Sequence, residues 1–285
     1  MIRVGIIGGS GLYDIDGLEN RASRRIASPW GEPSDDLLFG TIGGAECVFL
    51  PRHGRGHFLS PTHLNYRANI DALKRAGVTH VLSVSAVGSL REDLPPGRFV
   101  IVDQFIDRSF ARAKSFFGEG CVAHVALAHP VCPLLGDIVE REAARLGIAA
   151  TRGGTYLVME GPQFSTNAES ELYRSWGCSV IGMTNMPEAK LAREAGLHYA
   201  TVAMVTDYDC WHADHASVTL EAVMHVMSEN SSRARALVQA LVPAIAATHE
   251  ACPEHCDEAL RNAIVTPPEA RDPALMAKLD AILPK

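Results

Sequence analysis

Two aspartates follow an apolar run in the stretch MVTDYDCW, which covers residues 204–211. If the chain is still extended there, side chains two residues apart point to the same side, so Asp207 and Asp209 converge on one pocket. Burial and like charge both raise the pKa of paired carboxyl groups, which suits a proton donor at neutral pH. Two alternatives stay open. One acid caps a turn while the other is solvated, or the pair binds a divalent metal, although the sequence offers no obvious complementary carboxylates.

A cluster of basic side chains follows another strand-like run in the stretch LPRHGRGHFLSP. Its members are Arg52, His53, Arg55 and His57. In an acidic protein such a cluster supplies charge-assisted donors to phosphate or carboxylate, and ligands bind at strand ends in α/β sheets. A solvated basic loop is the alternative of about equal weight. A metal site formed by His53, His57 and His63 is a weaker hypothesis, because no carboxylate pair stands nearby.

Small and hydroxyl-bearing residues follow four further strand-like runs. In GIIGGSGL, glycines bring backbone N–H groups and the Ser10 hydroxyl close to an anion, unless they only form a tight turn. In VLSVSAVGSL, Ser85 and Ala86 either let a ligand approach the backbone or serve close packing. In MEGPQFST and GMTNMPEA, Ser165 and Thr184 either bond a ligand hydroxyl or phosphate or cap the following helix.

The elements that must position these residues alternate along the chain. Near-continuous apolar runs predict strands buried on both faces at residues 4–7, 47–50, 80–87, 99–102, 156–158, 180–183 and 199–205. Helical patterns occupy residues 64–76, 134–146, 168–176, 187–195 and 218–241. Because connecting helices must cover both sheet faces, we expect a single three-layer α/β domain over residues 1–247, with a central mixed β-sheet flanked by helices. Residues 248–285 are interpreted as a C-terminal tail or docking arm.

Composition narrows the class of partner. The chain has 285 residues, 47% of them hydrophobic, and a formal net charge of −7. An acidic balance argues against nucleic acid and anionic membranes as partners and favours a small molecule. No apolar run approaches the roughly 20 residues of a membrane helix, and the N-terminal stretch does not resemble a signal peptide. We therefore expect a cytoplasmic protein.

The seven cysteines are an odd number, and most are interpreted as reduced core residues. Cys252 and Cys256 lie beside His249 and His255, so a zinc site or a disulfide is conceivable there. The C-x-x-x-C spacing and the lack of a second cysteine pair favour neither. We therefore expect no metal site.

Six of the stretches together are similar to a known motif series. In order, GGSGL, PRHGRGH, SAVGSL, MEGPQFS, GMTNMPEA and TDYDCW resemble the motifs of the S-methyl-5'-thioadenosine phosphorylases, within the trimeric purine nucleoside phosphorylase family. The resemblance implies a nucleoside phosphorylase-like fold and a homotrimer. It implies phosphorolysis of S-methyl-5'-thioadenosine to adenine and 5-methylthioribose 1-phosphate, a methionine and purine salvage reaction. It also implies no metal and no cofactor, with inorganic phosphate as co-substrate.

Site roles are carried over from the resemblance onto matching positions. It implies phosphate binding by Ser10, Arg52, His53, Ser85, the Ala86 backbone and Thr184. It also implies that Met183 lies under the ribose and that His124 reaches into the neighbouring subunit's pocket. Asp207 and Asp209 match the acids that recognise adenine, with Asp207 as the catalytic proton donor to purine N7.

Ser165 and Leu220 match positions that influence which purine or 5'-substituent is accepted. The chain departs from the expected pattern at Ser10, Gln163 and Leu220, where some members carry Thr, Arg and Val. The last two departures leave substrate tolerance open. One alternative is a purine nucleoside phosphorylase of broader or 6-oxopurine preference, which usually has an asparagine in place of the acids. The other is a nucleotide-binding regulatory protein without catalysis.

Overall fold

A computed structural model describes residues 2–9, 12, 15–212 and 220–284 of the chain. The strands are β1 (Val4–Gly8), β2 (Glu19–Arg24), β3 (Leu37–Ile42), β4 (Ala45–Pro51), β5 (His80–Ser89), β6 (Phe99–Val102), β7 (Gln104–Asp107), β8 (Ala150–Arg152), β9 (Thr155–Val158), β10 (Val180–Gly182) and β11 (His198–Asp207). The helices are α1 (Tyr66–Arg75), α2 (Pro133–Arg145), α3 (Asn167–Ser175), α4 (Asn185–Glu194), α5 (Leu220–Ala246) and α6 (Pro273–Lys278). Short 3₁₀ helices cover Pro61–His63, Cys256–Glu258 and Pro268–Ala270.

All the described strands join one mixed sheet, with β5 at its centre. On one side the order runs β5, β1, β4, β3, β2, and on the other β5 pairs with β11, followed by β6 and β8. The strands β4, β1, β5 and β11 are mutually parallel along this path. Near its carboxyl end β5 also pairs with β10, which leads to β9 and β7. Four parallel strands therefore end at the same edge of the sheet.

The core lies on both faces of this sheet. Successive residues of β4 alternate between the two sides, since Val48 and Leu50 belong to one buried cluster, and Cys47 and Phe49 to the other. Helices α1 and α4 pack together, as do α2 and α5, and their buried residues belong to opposite clusters. This arrangement confirms the predicted three-layer α/β fold with a mixed central sheet. No helix within the described ranges combines the length and apolarity that crossing a membrane requires.

The predicted strands and helices are all present, with shifted ends. The regular part of α4 starts after Met186, whose φ of −119° and ψ of 130° interrupt the helix. The predicted start of the last long helix, residues 218 and 219, lies outside the described residues. Strands β2, β3, β7 and β8 were not predicted, because they lack a buried apolar run; five of the six β2 residues are exposed.

The segment after α5 packs against the domain. Leu279 and Ile282 are almost fully buried in the core cluster that also contains α1 residues. Arg75 of α1 pairs with Asp280. The predicted domain end at residue 247 follows α5 by one residue. Partner docking by this segment stays a prediction.

Candidate active site

A cavity of about 350 Å³ opens at the sheet edge where the parallel strands end. Gly9 follows β1, Arg52 follows β4, Ser85 lies in the last part of β5, and Asp207 ends β11, and all four line the cavity. Ligands of open α/β sheets bind in such crevices at the carboxyl ends of the strands. The position of the cavity therefore follows from the parallel order of these four strands, which brings their carboxyl ends to one edge of the sheet.

Most of the cavity wall is apolar. The apolar lining residues are Leu12, Pro61, Val84, Ala86, Val87, Met159, Phe164, Ile181, Met183, Met204, Met224 and Met227. Five of the lining residues are methionines, whose flexible thioether chains adapt to the shape of a ligand. An apolar wall with a few polar groups suits a small molecule that has a flat or aliphatic body and polar ends.

The acid pair lines the cavity, although not for the reason predicted. The chain is not extended through both residues, because β11 ends at Asp207 and Asp209 has a φ of 53°. Both residues nevertheless line the cavity. A Cβ added at Gly88 on β5 would stand 2.9 Å from Asp207 Oδ1 and 3.3 Å from Asp209 Cβ. The space for the two acids thus depends on a glycine in the neighbouring strand.

Burial raises the pKa of both carboxyl groups above the usual range. For Asp207, desolvation and the charge of Asp209 raise the pKa, while hydrogen bonds from Thr206 Oγ1 and from the Asp209 N–H lower it. For Asp209, desolvation is again the largest cause. Asp209 Oδ2 is buried and has no hydrogen-bond partner among the described residues. An unsatisfied buried carboxylate oxygen is costly, so this atom is suited to receive a donor from a ligand.

Arg52 is 2% exposed, and its guanidinium is largely engaged by the protein. Its Nε donates to Glu188 Oε2 over 3.0 Å, its Nη2 to Ser83 Oγ over 2.6 Å, and its Nη1 to the Val84 carbonyl over 2.9 Å. Glu188 is also almost fully buried, so the two form an ion pair inside the domain. Sequence analysis predicted Arg52 as a ligand donor but missed Glu188, which lies in GMTNMPEA. Nothing in that stretch indicates a partner 136 residues away.

His53 lines the cavity as a neutral imidazole. Burial, and secondly the charge of Arg52, lower its pKa to about 4. Its Nδ1 lies 2.9 Å from the Leu59 carbonyl, which can only accept, so Nδ1 carries the hydrogen and Nε2 is left as an acceptor. The ring stacks on His57, which also lines the cavity.

The other basic residues of this loop do not form a metal site. Arg55 is exposed and pairs with Asp35. His63 Nδ1 lies 2.7 Å from Ser60 Oγ. Across the described part of the chain, His53, His57 and His63 do not gather as a ligand cluster.

Three further predicted residues reach the cavity. Ser85 and Ala86 of β5 line it, and Ser85 Oγ donates to Asn185 Oδ1 over 3.0 Å. Thr184 precedes α4, but its hydroxyl does not cap the helix. The Thr184 Oγ1 atom is buried and has no hydrogen-bond partner in the described ranges. Its availability favours ligand binding over capping.

Met183 also lines the cavity. Its backbone carbonyl accepts a hydrogen bond from a residue that sequence analysis missed. Arg112 Nη1 donates to the Met183 carbonyl over 2.7 Å and to the Met186 carbonyl over 2.6 Å. Its Nε pairs with Glu160 Oε1 at 3.1 Å. Arg112 lies in a loop without a motif, so no sequence signal singles it out.

The remaining predicted residues lie outside the cavity lining or outside the described residues. Ser165 is near the cavity, with Oγ 3.9 Å from Met159 Sδ, and the helix that follows is capped by Thr166 instead. His124 is exposed on the surface. Ser10 lies outside the described residues, and so does the side chain of Leu220.

The chain is also similar in sequence to proteins of a known family. A family model described as the phosphorylase superfamily matches residues 3–243. S-methyl-5'-thioadenosine phosphorylase of Rhodospirillum rubrum is 62% identical over 98% of this chain and 95% of its own length. The Koribacter versatilis protein of the same name is 51% identical over 99% and 96%.

Solved structures that are similar to this chain include two methylthioadenosine phosphorylases. A crystal structure of methylthioadenosine phosphorylase from an antarctic soil metagenomic library superposes with a TM-score of 0.94, at 46% identity and with 99% of each chain covered. Methylthioadenosine phosphorylase from Schistosoma mansoni in complex with adenine gives a TM-score of 0.84 at 36% identity, covering 90% of this chain and 96% of that one.

Proposed function

The chain belongs to the phosphorylase superfamily and, within it, to the S-methyl-5'-thioadenosine phosphorylases, and on this basis we infer that it cleaves S-methyl-5'-thioadenosine with inorganic phosphate. The products are adenine and 5-methylthioribose 1-phosphate, so the enzyme is a pentosyltransferase of purine and methionine salvage. One structural observation supports this function above all. A single cavity has a buried acid pair at the end of β11 and a set of potential anion ligands at the ends of β4 and β5.

The acid pair is proposed to hold the purine. Protonated Asp207 donates to N7 as the glycosidic bond breaks, and Asp209 accepts from the exocyclic amine. Burial raises the pKa of both carboxyl groups, and this shift favours the protonated form that the proposed donation requires. Adenine presents a donor where a 6-oxopurine presents an acceptor, so two acids favour adenine.

Phosphate is proposed to bind at the opposite end of the cavity. The ligands are Ser10, Arg52, His53, Ser85, the Ala86 backbone and Thr184. The unpartnered Thr184 Oγ1 supports this assignment. Neutral His53 offers Nε2 as an acceptor for a protonated phosphate oxygen, which suits the monoanion. Most hydrogen-bond donors of Arg52 are already used within the protein. We therefore propose that Arg52 stabilises the phosphate more through the electrostatic field of its positive charge than through direct hydrogen bonds.

The ribose is proposed to lie on Met183, between the purine and the phosphate. Positive charge grows on the ribose in an oxocarbenium-like transition state as the purine leaves. A phosphate anion held below C1' then acts both as nucleophile and as electrostatic stabiliser. No metal or organic cofactor takes part in this proposal, because protein side chains and phosphate supply every group.

Assembly and specificity are further parts of the proposal. The exposed position of His124 supports its reaching a neighbouring subunit's pocket in a homotrimer. Ser165, beside Met159 of the cavity wall, and Leu220, at the start of α5, are proposed to tune substrate acceptance. None of the seven cysteines forms a disulfide, which supports a cytoplasmic location, since that compartment keeps thiols reduced.

The decisive assay incubates the protein with S-methyl-5'-thioadenosine, with and without phosphate, and measures adenine by chromatography. We expect adenine release that requires phosphate. Release independent of phosphate would contradict phosphorolysis, and binding without turnover at any phosphate concentration would indicate a regulatory protein. Faster cleavage of inosine or methylthioinosine than of methylthioadenosine would indicate the 6-oxopurine alternative.

A further inference from the structure

Four potential metal ligands from separate parts of the chain meet at the sheet end opposite the cavity. They are Cys132, His198, Cys252 and Cys256, and their ligand atoms all lie within 4.8 Å of one another. Cys132 precedes α2, His198 begins β11, and the other two cysteines lie after α5. His198 and Asp207 stand at the two ends of β11, which has ten residues. At about 3.3 Å per strand residue, the cluster lies about 30 Å from the acid pair.

Three of the six distances between these ligand atoms are close to those of tetrahedral zinc coordination. Zn–S bonds of about 2.3 Å and Zn–N bonds of about 2.0 Å place ligand atoms about 3.8 Å apart for two sulfurs and about 3.5 Å apart for sulfur and nitrogen. Cys252 Sγ lies 3.5 Å from both Cys132 Sγ and Cys256 Sγ. Cys132 Sγ lies 3.5 Å from His198 Nδ1.

The surroundings of the cluster suit a bound cation with three thiolates. The three cysteines are at most 6% exposed, so water is excluded. Three thiolates and a neutral imidazole around Zn²⁺ leave a net charge of about −1, and Arg193 Nη1 donates to Cys256 Sγ over 3.2 Å. On the far side of the His198 ring, Asp257 Oδ1 lies 4.0 Å from Nε2. At this distance the carboxylate is not hydrogen-bonded to the ring, but it places a negative charge near the proposed cation.

We propose that Cys132, His198, Cys252 and Cys256 bind one structural Zn²⁺ ion per chain. Four protein ligands leave no open coordination position, which distinguishes a structural zinc site from a catalytic one. The ligand set differs from the one considered on sequence spacing alone, where His249 and His255 were the nearby histidines. The proposed site differs from the expectation, stated from the sequence, of a chain without a metal site.

The ion fastens the segment after α5 to the sheet. Cys252 and Cys256 lie in that segment, whereas Cys132 and His198 belong to the α/β layers. Because the four ligands come together only in the folded chain, the free energy of zinc binding adds to the free energy of folding. The stability of the whole C-terminal part of the chain therefore depends on the metal, while the chemistry about 30 Å away does not.

The first test measures the metal content of protein that has been purified without a polyhistidine tag. Elemental analysis should find about one zinc per chain, falling at least about fivefold in Cys252→Ser and in Cys256→Ser. Cys47→Ser is the matched control, because Cys47 is equally buried but lies in β4, outside the cluster, and it should retain the zinc. At low temperature, Cys252→Ser and Cys256→Ser should both retain phosphorolysis.

The second test uses the unaltered protein, so that it stands if a variant fails to fold. Titration with a mercurial thiol reagent should release zinc, detected with a chromogenic chelator, and lower the melting temperature. Two results would overturn the proposal. Metal-free protein whose mass is lower by two hydrogens indicates a disulfide among these cysteines, and metal-free protein that does not take up added Zn²⁺ indicates a purely packed cluster.

Discussion

The Asp209 N–H donates to Asp207 Oδ1 over 2.8 Å, so the second acid of the pair holds the first in place through its own backbone. The other oxygen, Asp207 Oδ2, accepts from Thr206 Oγ1 over 2.7 Å. Both bonds fix the orientation of the carboxyl group before any ligand arrives. A catalytic group that is oriented in advance loses little entropy on binding substrate.

Replacing Asp207 by asparagine should affect catalysis far more than stability. The amide has the same shape and still accepts from Asp209, but it lacks the acidic proton for N7. We expect kcat/KM on S-methyl-5'-thioadenosine to fall by about 10²- to 10⁴-fold, with relative use of 6-oxopurines increased. Asp137→Asn, on the exposed side of α2, is the control and should behave as the unaltered enzyme. An unchanged kcat/KM in Asp207→Asn removes this residue from the mechanism.

A methyl group at Gly88 should disturb the acid pair directly. The added Cβ would stand 2.9 Å from Asp207 Oδ1 and 3.2 Å from Ile181 Cγ2, too close without a shift of the carboxyl group. Because small displacements at a reacting centre are costly, we expect Gly88→Ala to lower kcat/KM about 10²-fold. Gly118→Ala is a matched control, since its Cβ meets no atom within 4 Å. Equal activities of the two variants, in steady-state assays, would show that the acids tolerate displacement.

Replacing Arg52 by methionine should destabilise the fold, whatever its effect on phosphate. The change leaves Glu188 buried without its cation, which costs about 3–5 kcal/mol in comparable pairs. Urea unfolding measures this loss. Arg55→Met, in the same loop, removes an exposed arginine paired with Asp35 and should cost less than about 1 kcal/mol. Equal stability of the two variants would contradict a structural role for the Arg52–Glu188 pair.

The neutral state of His53 should make stability depend on pH. Burial and the Arg52 charge lower its pKa from 6.5 to about 4 in the folded chain. Between these values the unfolded chain takes up a proton that the folded chain does not. The stability associated with neutral His53 is therefore fully present above pH 6.5, and it is lost as the pH falls toward 4.

His53→Gln should reduce this dependence. Urea unfolding at about pH 5 and about pH 7.5 should show a smaller loss of stability on acidification in the variant than in the unaltered protein. His249→Gln, at an exposed histidine after α5, should keep the original dependence. If His53→Gln loses as much stability on acidification as the control, His53 is not held neutral by the fold.

The fold was largely predictable because its central strands are buried on both faces. Residues 47–50 of β4 and all four residues of β6 form short continuous apolar runs, which are typical of strands covered on both sides. The edge strand β2 was missed, because its exposed polar residues carry no hydrophobic pattern. The acid pair was predicted from its place at a strand end, but the supposed extended backbone was wrong.

The sequence by itself determined which strands are central and which residue types stand at their carboxyl ends, because hydrophobic periodicity and strand-end position are local properties. Only the tertiary structure decided which distant residues meet. Glu188 neutralises Arg52 across 136 positions, and Cys132 lies against Cys252 across 120. Spacing along the chain has no information about such pairs, since sheet order and helix packing bring them together.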